Sequence, residues 1–395
     1  MKKSIIIYLL LANSLITAYA QSNVDGVLQS ILEHNKELKA GCSQLEAQKL
    51  QARTENNLPN PEVSYVHQWG NKEGMGFTGE LVASQSFDFP TLYAQRNKRI
   101  KAQNRGFDAQ FAILRQQILL QAKLVCLDLI YLNQLRSLQR DRLHNADVLS
   151  RFYASQLEKG ATNAIETNKV DLELLNARNE ARQTETAIKG KLEELKALNG
   201  GIGITFTDSI YQSACEYPED FSAFCLQALE SSPEMQYLRN NQAAAARQLT
   251  VSKQQWLPNL TVGYRMNPSS GGVRYNGVLV GISIPIFANR NKVKQAKAEQ
   301  FYAETRLDSQ SDSETAQLKN LWMKAGELRK SVQEYSSVLT QQNNMALLNK
   351  AIQAGQISMV EYFVNISTFY QSMQNYLQLQ NEYQKTMAEL HRFQL

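Results

Sequence analysis

Proline is scarce and unevenly spread. All eight prolines fall within residues 59–90, 218–233 and 258–285, and none occurs in 91–217 or 286–395. A proline inside a helix costs ~3 kcal/mol, so the two proline-free tracts are where helix can run uninterrupted. After the N-terminal segment no apolar run approaches the ~20 residues a spanning helix needs. With a mean hydropathy of −0.40, this argues against a helical inner-membrane protein. The net charge is only +5 over 395 residues and shows no basic block, which argues against nucleic acid as a partner. The four histidines, His34, His67, His144 and His391, never fall at a spacing that would set two on one helical face as metal ligands. The nine methionines form no cluster suited to soft metals. No Cys-x-x-Cys pair, Gly-rich phosphate loop or nucleophile elbow occurs. No catalytic activity, cofactor or metal is expected.

What is present begins with an export signal. Lys2 and Lys3 precede an apolar run from Ile5 to Ile16, and Ala18-Tyr19-Ala20 offers a small-x-small cleavage site, so residues 1–20 read as a signal peptide. A retained anchor is the alternative, but the run is short for a bilayer. Leu38 to Cys42 superficially resembles a lipoprotein cleavage box, yet it follows polar His34-Asn-Lys-Glu rather than an apolar segment. Of the four cysteines of this exported chain, Cys215 and Cys225 are close enough in sequence to pair. Cys42 and Cys126 sit in apolar helical patterns and read as plain buried residues.

The chain then says the same thing twice. Residues 57–98 run through Leu58-Pro59-Asn60, an alternating stretch, a Gly-containing gap and a second alternating stretch closed by Phe87-Asp88-Phe89-Pro90, ending on Arg96-Asn97-Lys98. Roughly 200 residues later come Leu257-Pro258-Asn259, alternation, Ser269-Ser270-Gly271-Gly272, alternation closed by Ile284-Pro285, and Arg290-Asn291-Lys292. Gly160 followed by Glu166 is echoed by Gly355 followed by Glu361. A long repeat with conserved element order marks a duplicated unit. The boundaries read as 21–199 for the first copy, a linker at 200–221, and 222–395 for the second.

Within the proline-free tracts apolar residues recur every seven. Phe111, Ile118, Val125 and Leu132 form one series; Leu318, Ala325, Val332 and Leu339 a second; Phe369, Tyr376, Tyr383 and Leu390 a third. Sustained heptads indicate coiled-coil-like packing. A helix from about Arg96 to Leu157 would be on the order of 90 Å long, more than most compact domains hold. The intervening stretches alternate instead. Val63, Tyr65 and Trp69 oppose Glu62, Ser64 and Gln68. Across 77–89, Phe77, Leu81, Ala83, Phe87 and Phe89 oppose Thr78, Glu80, Ser84, Ser86 and Asp88. Leu260, Val262, Tyr264 and Met266 oppose Thr261, Gly263 and Arg265, and about 273–286 aligns Val278, Val280, Ile282 and Ile284. Apolar-out, polar-in segments of about ten residues are the pattern of an outer-membrane barrel; a half-buried soluble sheet would alternate likewise. Four strands cannot close a barrel, and an open sheet in lipid leaves backbone groups unsatisfied. Several chains must therefore share one barrel.

These features together resemble the TolC-like outer-membrane efflux family over essentially the whole mature chain. The resemblance rests on the duplication, on Leu-Pro-Asn before each hairpin, on Ile284-Pro285-Ile286-Phe287 before Arg290-Asn291-Lys292, and on the Gly-x(5)-acidic turns. It implies a mainly α fold with a membrane β part: a homotrimer whose strands form one twelve-stranded barrel, continuous with a periplasmic α-helical barrel. It further implies a passive exit duct in the outer membrane, extending into the periplasm, in contact with outer-membrane lipid and joined through a periplasmic adaptor to an inner-membrane pump. Mapped by position, Gly160, Ala161, Thr162 and Glu166 form one periplasmic tip, and Gly355, Gln356, Ile357, Ser358 and Glu361 the other. These would contact the adaptor and constrict the pore. Three copies of Glu361 would make a cation-attracting ring; alternatively both glutamates serve only as first-turn helix residues. Some relatives carry a basic residue where Ile357 stands and an acidic one where Val364 stands. A periplasmic adaptor or scaffold without a channel is the competing function.

Overall fold

The computed structural model describes residues 23–212, 216–341 and 345–395; the expected signal peptide and Cys215, one half of the cysteine pair close enough in sequence to join, lie outside them. The elements are α1 (Asn23–His34), α2 (Lys36–Thr54), β1 (Glu62–Trp69), β2 (Phe77–Phe87), α3 (Pro90–Glu158), α4 (Ala164–Leu198), α5 (Phe221–Ser231), α6 (Pro233–Gln254), β3 (Asn259–Pro268), β4 (Arg274–Ser283), α7 (Lys292–Gln341), α8 (Met345–Gln353) and α9 (Met359–Leu390), followed by a short 3-10 turn (Arg392–Gln394). The long first-copy helix starts earlier than the proline-free tract suggested, because Pro90 sits at its first position, where no N–H is needed. Two strands are shorter than expected: β2 stops at Phe87 and β4 at Ser283. Pro285 brings no N–H to a ladder, and the chain turns over residues 286–291.

The chain divides into two compact units, and each takes parts of both sequence copies. One comprises residues 40–114 and 226–315 and holds all four strands. They form a single antiparallel sheet in the order β1-β2-β3-β4. Its register places Val63 opposite Ala83, Ala83 opposite Tyr264 and Tyr264 opposite Val278, so the apolar residues of both copies share one face. That face lies open: Trp69 is 79 % and Val278 83 % exposed, and Val280 and Ile282 are exposed as well. The other face is polar. Arg265 pairs with Glu80 at 2.7 Å and Ser86 hydrogen-bonds Thr261 at 3.0 Å. Gly263 permits the close β2–β3 approach, since a Cβ there would meet the Ala83 carbonyl oxygen at 2.6 Å.

The other unit comprises residues 115–225 and 316–395 together with α1 and the start of α2 through Lys39. Its core follows the heptads: Ile118, Val125, Leu318, Ala325 and Leu390 are buried. Contrary to the sequence reading, α3 contains an 18-residue stretch long and apolar enough to cross a membrane. Ile118, Leu119, Ala122, Val125, Leu129 and Ile130 are nevertheless buried within the protein. Cys126 is buried beside them, while Cys42 is exposed. Between Leu198 and Phe221 the described residues form no helix or strand. A polar cross-link ties three helices: Asp128 of α3 accepts from Asn381 and Lys385 of α9, each at 3.0 Å, and lies 3.4 Å from Lys191 of α4. Burial alone would raise the Asp128 carboxyl, but these hydrogen bonds and charges outweigh it and hold it below its ordinary value.

Candidate functional site: the ends of two helical hairpins

The two Gly turns share one backbone solution. α3 ends in a left-handed residue, Gly160 at φ 68°, and α8 in Gly355 at φ 69°. Gly160 N–H donates to Leu157 O at 3.0 Å and Ala161 N–H to Gln156 O at 2.9 Å; Gly355 N–H donates to Ile352 O at 3.1 Å and Gln356 N–H to Ala351 O at 2.9 Å. These paired bonds are a Schellman cap, which satisfies orphan carbonyls and needs a positive φ that glycine adopts without a Cβ penalty.

The returning helices start differently. Asn163 caps α4, its side-chain oxygen accepting from Glu166 N–H at 3.0 Å, while Thr162 Oγ1 donates to Glu166 Oε2 at 3.1 Å. At α9, Ser358 and Glu361 form a full capping box. Ser358 Oγ accepts from Glu361 N–H at 3.2 Å, and Glu361 Oε2 accepts from Ser358 N–H at 2.8 Å and from its hydroxyl at 2.9 Å. The backbone and side-chain hydrogen bonds from Ser358 hold the Glu361 carboxyl below its ordinary value. Glu361 thus does work as a first-turn helix residue. Asn163 was not singled out from sequence, although Asn three residues before Glu is a readable cap signal.

The structure brings both turns onto one apolar cluster. Leu149, Tyr153, Val170, Ile352, Met359, Tyr362, Ile366 and Tyr370 are buried together, with Ile357 packed against them. Ile357 therefore serves the core, whereas Gly160, Ala161, Gly355, Gln356, Ser358 and Glu361 are exposed. Polar partners thread this cluster. Tyr362 donates to Asn349 at 2.8 Å, Asn349 to Asn145 at 3.5 Å, and Asn145 to Tyr370 at 3.1 Å. Burial, then the Tyr370, Glu173 and Tyr153 side chains, raise the Tyr362 hydroxyl, keeping it a neutral donor. Arg142 reaches Glu173 and Glu180 at 2.8 Å each and lies 5.5 Å from the Tyr370 ring centroid. None of these was legible in sequence, because each pairs residues of different helices. Beside the cluster, Tyr335, Val338, Leu339, Leu348 and Phe369 line a largely apolar groove of about 380 Å³ between α7, α8 and α9. Among the described residues no three His, Cys, Asp or Glu side chains gather as metal ligands.

The family model of the outer membrane efflux proteins matches residues 225–393. No curated protein sequence matches the chain. Solved structures resemble it along its length. The outer membrane protein VceC of Vibrio cholerae has a TM-score of 0.77 at 13 % identity, covering 95 % of this chain and 97 % of that one. The MtrE outer membrane channel of Neisseria gonorrhoeae, in its open state, gives 0.72 at 13 %, covering 94 % and 88 %. The CmeC outer membrane channel of Campylobacter jejuni gives 0.70 at 14 %, covering 94 % and 85 %. At these identities the likeness shows the fold.

Proposed function

We infer that this chain, whose residues 225–393 match the family model of the outer membrane efflux proteins, is an efflux exit channel of the outer membrane that extends into the periplasm. The observation that carries the inference is the sheet. It has one open apolar face, one polar face and two edge strands, β1 and β4, each without a second strand partner among the described residues. Such a sheet is stable in lipid only when its edges are closed, since each unsatisfied backbone group there costs several kcal/mol. Pairing β4 of one copy with β1 of the next closes the ring; three copies give twelve strands, the number the family resemblance implies. A soluble adaptor or scaffold would leave the face around Val278 in water without a role.

The hairpin ends are our candidate for the periplasmic tip, where an adaptor coupled to an inner-membrane pump would engage. The exposed Gly160, Ala161, Gly355, Gln356 and Ser358 and the groove beside Phe369 support this. We further propose that Glu361 does double duty: its Oε2 closes the capping box while its charge faces the pore. Passive conduction needs no catalytic group. The test is the purified protein in planar bilayers. A detergent-dependent trimer with discrete conductance steps is expected, and Glu361→Gln should reduce cation preference. A detergent-free monomer without conductance would overturn the channel; an unchanged preference would leave Glu361 a capping residue only.

A further inference from the structure

We propose that the helix-side rim of the sheet is a docking surface for anionic phospholipid headgroups of the leaflet nearest the helices, a proposal that rests on the outer-membrane channel reading. Three observations within one compact unit converge there. The apolar face does not end with the ladder: past Ser283, Ile284, Ile286 and Phe287 are 64 %, 59 % and 87 % exposed although they belong to no strand. A ring that open, directly continuing a lipid-facing surface, suits the zone between hydrocarbon and water.

Cations follow immediately. Lys98 and Lys101 of α3, Arg290, and Lys292, Lys294 and Lys297 of α7 are all exposed. Among the described residues none of the six has an ion pair or side-chain hydrogen bond. Their neighbours behave otherwise: Arg96 is held by Asp88 at 2.6 Å, and Arg99 is paired with Glu55. Local structure does not account for the six. The positive end of the helix dipole favours anions, and α1, α2, α4, α6 and α9 each carry an acidic residue in the first turn. α3, α5, α7 and α8 have none, and α7 in addition begins Lys-Val-Lys. The charges act against their own helix, which makes sense if an external anion compensates.

The distances fit a headgroup layer. Lys98 lies eight residues into α3, about 12 Å of axial rise, and Lys292 opens α7 beyond the Ile286–Phe287 step. The polar zone of a bilayer adds roughly 5–8 Å beyond the hydrocarbon on each side, and a lysine stem bridges the remainder by lying along the apolar surface while its ammonium reaches the phosphate. Continuity with the lipid-facing strands favours phospholipid over a soluble anion.

The test compares the parent with the variant carrying Lys98→Gln, Lys101→Gln, Arg290→Gln, Lys292→Gln, Lys294→Gln and Lys297→Gln. The α3 pair and the α7-side four are also measured separately, so that a folding defect in one set leaves a readout in the other. Lipid retained by the detergent-purified protein is counted after incubation with phosphatidylglycerol or phosphatidylcholine. The parent should prefer phosphatidylglycerol by at least ~10-fold, since each basic residue near an anionic surface contributes roughly fivefold. The preference should fall towards parity in the variant and at ~1 M salt. Equal retention of the two lipids by the parent overturns the proposal, as does an unchanged preference in the variants. Altered ion selectivity in planar bilayers would place the cations in the conduit and also overturn it. So would six-residue-dependent binding to lipopolysaccharide in preference to phosphatidylglycerol, or to isolated peptidoglycan. A parent that conducts normally but shows no headgroup preference defeats this proposal alone; a parent without conductance defeats the channel reading.

Discussion

Replacing Gly200 by alanine should destabilise the protein far more than the same change at Gly160 or Gly355, although all three turns use the same backbone conformation. Their φ values are 70°, 68° and 69°, so an added Cβ costs about 1–2 kcal/mol of left-handed strain at each. The surroundings differ. At Gly160 and Gly355 the new methyl would find nothing within 4 Å, whereas at Gly200 it would stand 2.4 Å from the carbonyl oxygen of His34. That oxygen cannot retreat cheaply: Asn35 donates to Leu198 O at 2.7 Å and Ser30 to Asn199 at 3.0 Å, tying α1 to the end of α4. Forcing the overlap adds about 1–3 kcal/mol, making roughly 2–5 kcal/mol at Gly200 against about 1–2 at Gly160 and Gly355. Urea unfolding of the detergent-solubilised protein, followed by circular dichroism, measures the series. Asparagine, which tolerates the left-handed region, should largely restore stability at Gly160 and Gly355 but not at Gly200. Equal losses at all three glycines, or rescue of Gly200 by asparagine, would refute the clash argument. Because Gly160 and Gly355 carry strain without a clash, and if their turns are the proposed adaptor-binding end, Gly355→Val should instead impair efflux in cells while the protein still assembles.

Glu361→Gln should leave the start of α9 intact, since the amide oxygen can still accept from Ser358, whereas Glu361→Ala should fray it by amide hydrogen exchange. The depressed folded pKa of Glu361 adds stability that is present above the unfolded pKa and lost as pH falls through the folded one, so the parent's advantage over Gln should vanish in acid. Asp128→Asn should cost about 1–3 kcal/mol at neutral pH, because Lys385 and Lys191 lose their shared partner. Asp128 too has a lowered folded pKa, so this difference should persist at neutral pH and shrink only as pH drops through that value; a loss independent of pH would sink the ion-pair account. At neutral pH maleimide should modify exposed Cys42 promptly and Cys126 only on unfolding, since burial, with the Asp208 charge adding to it, pushes the Cys126 thiol up to about 12. Peptide mapping that finds both labelled at similar rates in the native protein would contradict that burial.

The parts of this protein readable from sequence are those set by neighbours a few residues apart. Proline exclusion and heptads located the long helices, alternation located the strands and their two faces, and glycine located the turns, because each reflects local sterics or a face repeated along one element. Even there the ends slipped: Pro90 proved a helix start rather than a strand end, and β4 stopped before Pro285. What only the tertiary structure decided involves partners distant in sequence. The antiparallel pairing of β2 with β3, Gly263 against Ser84, joins the two sequence copies into one sheet and so leaves β1 and β4 as the edges. The joining of Asp128 to Lys191 and Lys385, the chain of hydrogen bonds from Tyr362 to Tyr370, and the packing of half-buried Ile357 against the apolar cluster likewise depend on which helices lie side by side. Heptads specify that a helix face will be buried but not against which helix, because every apolar seam is chemically alike until the packed structure chooses among them.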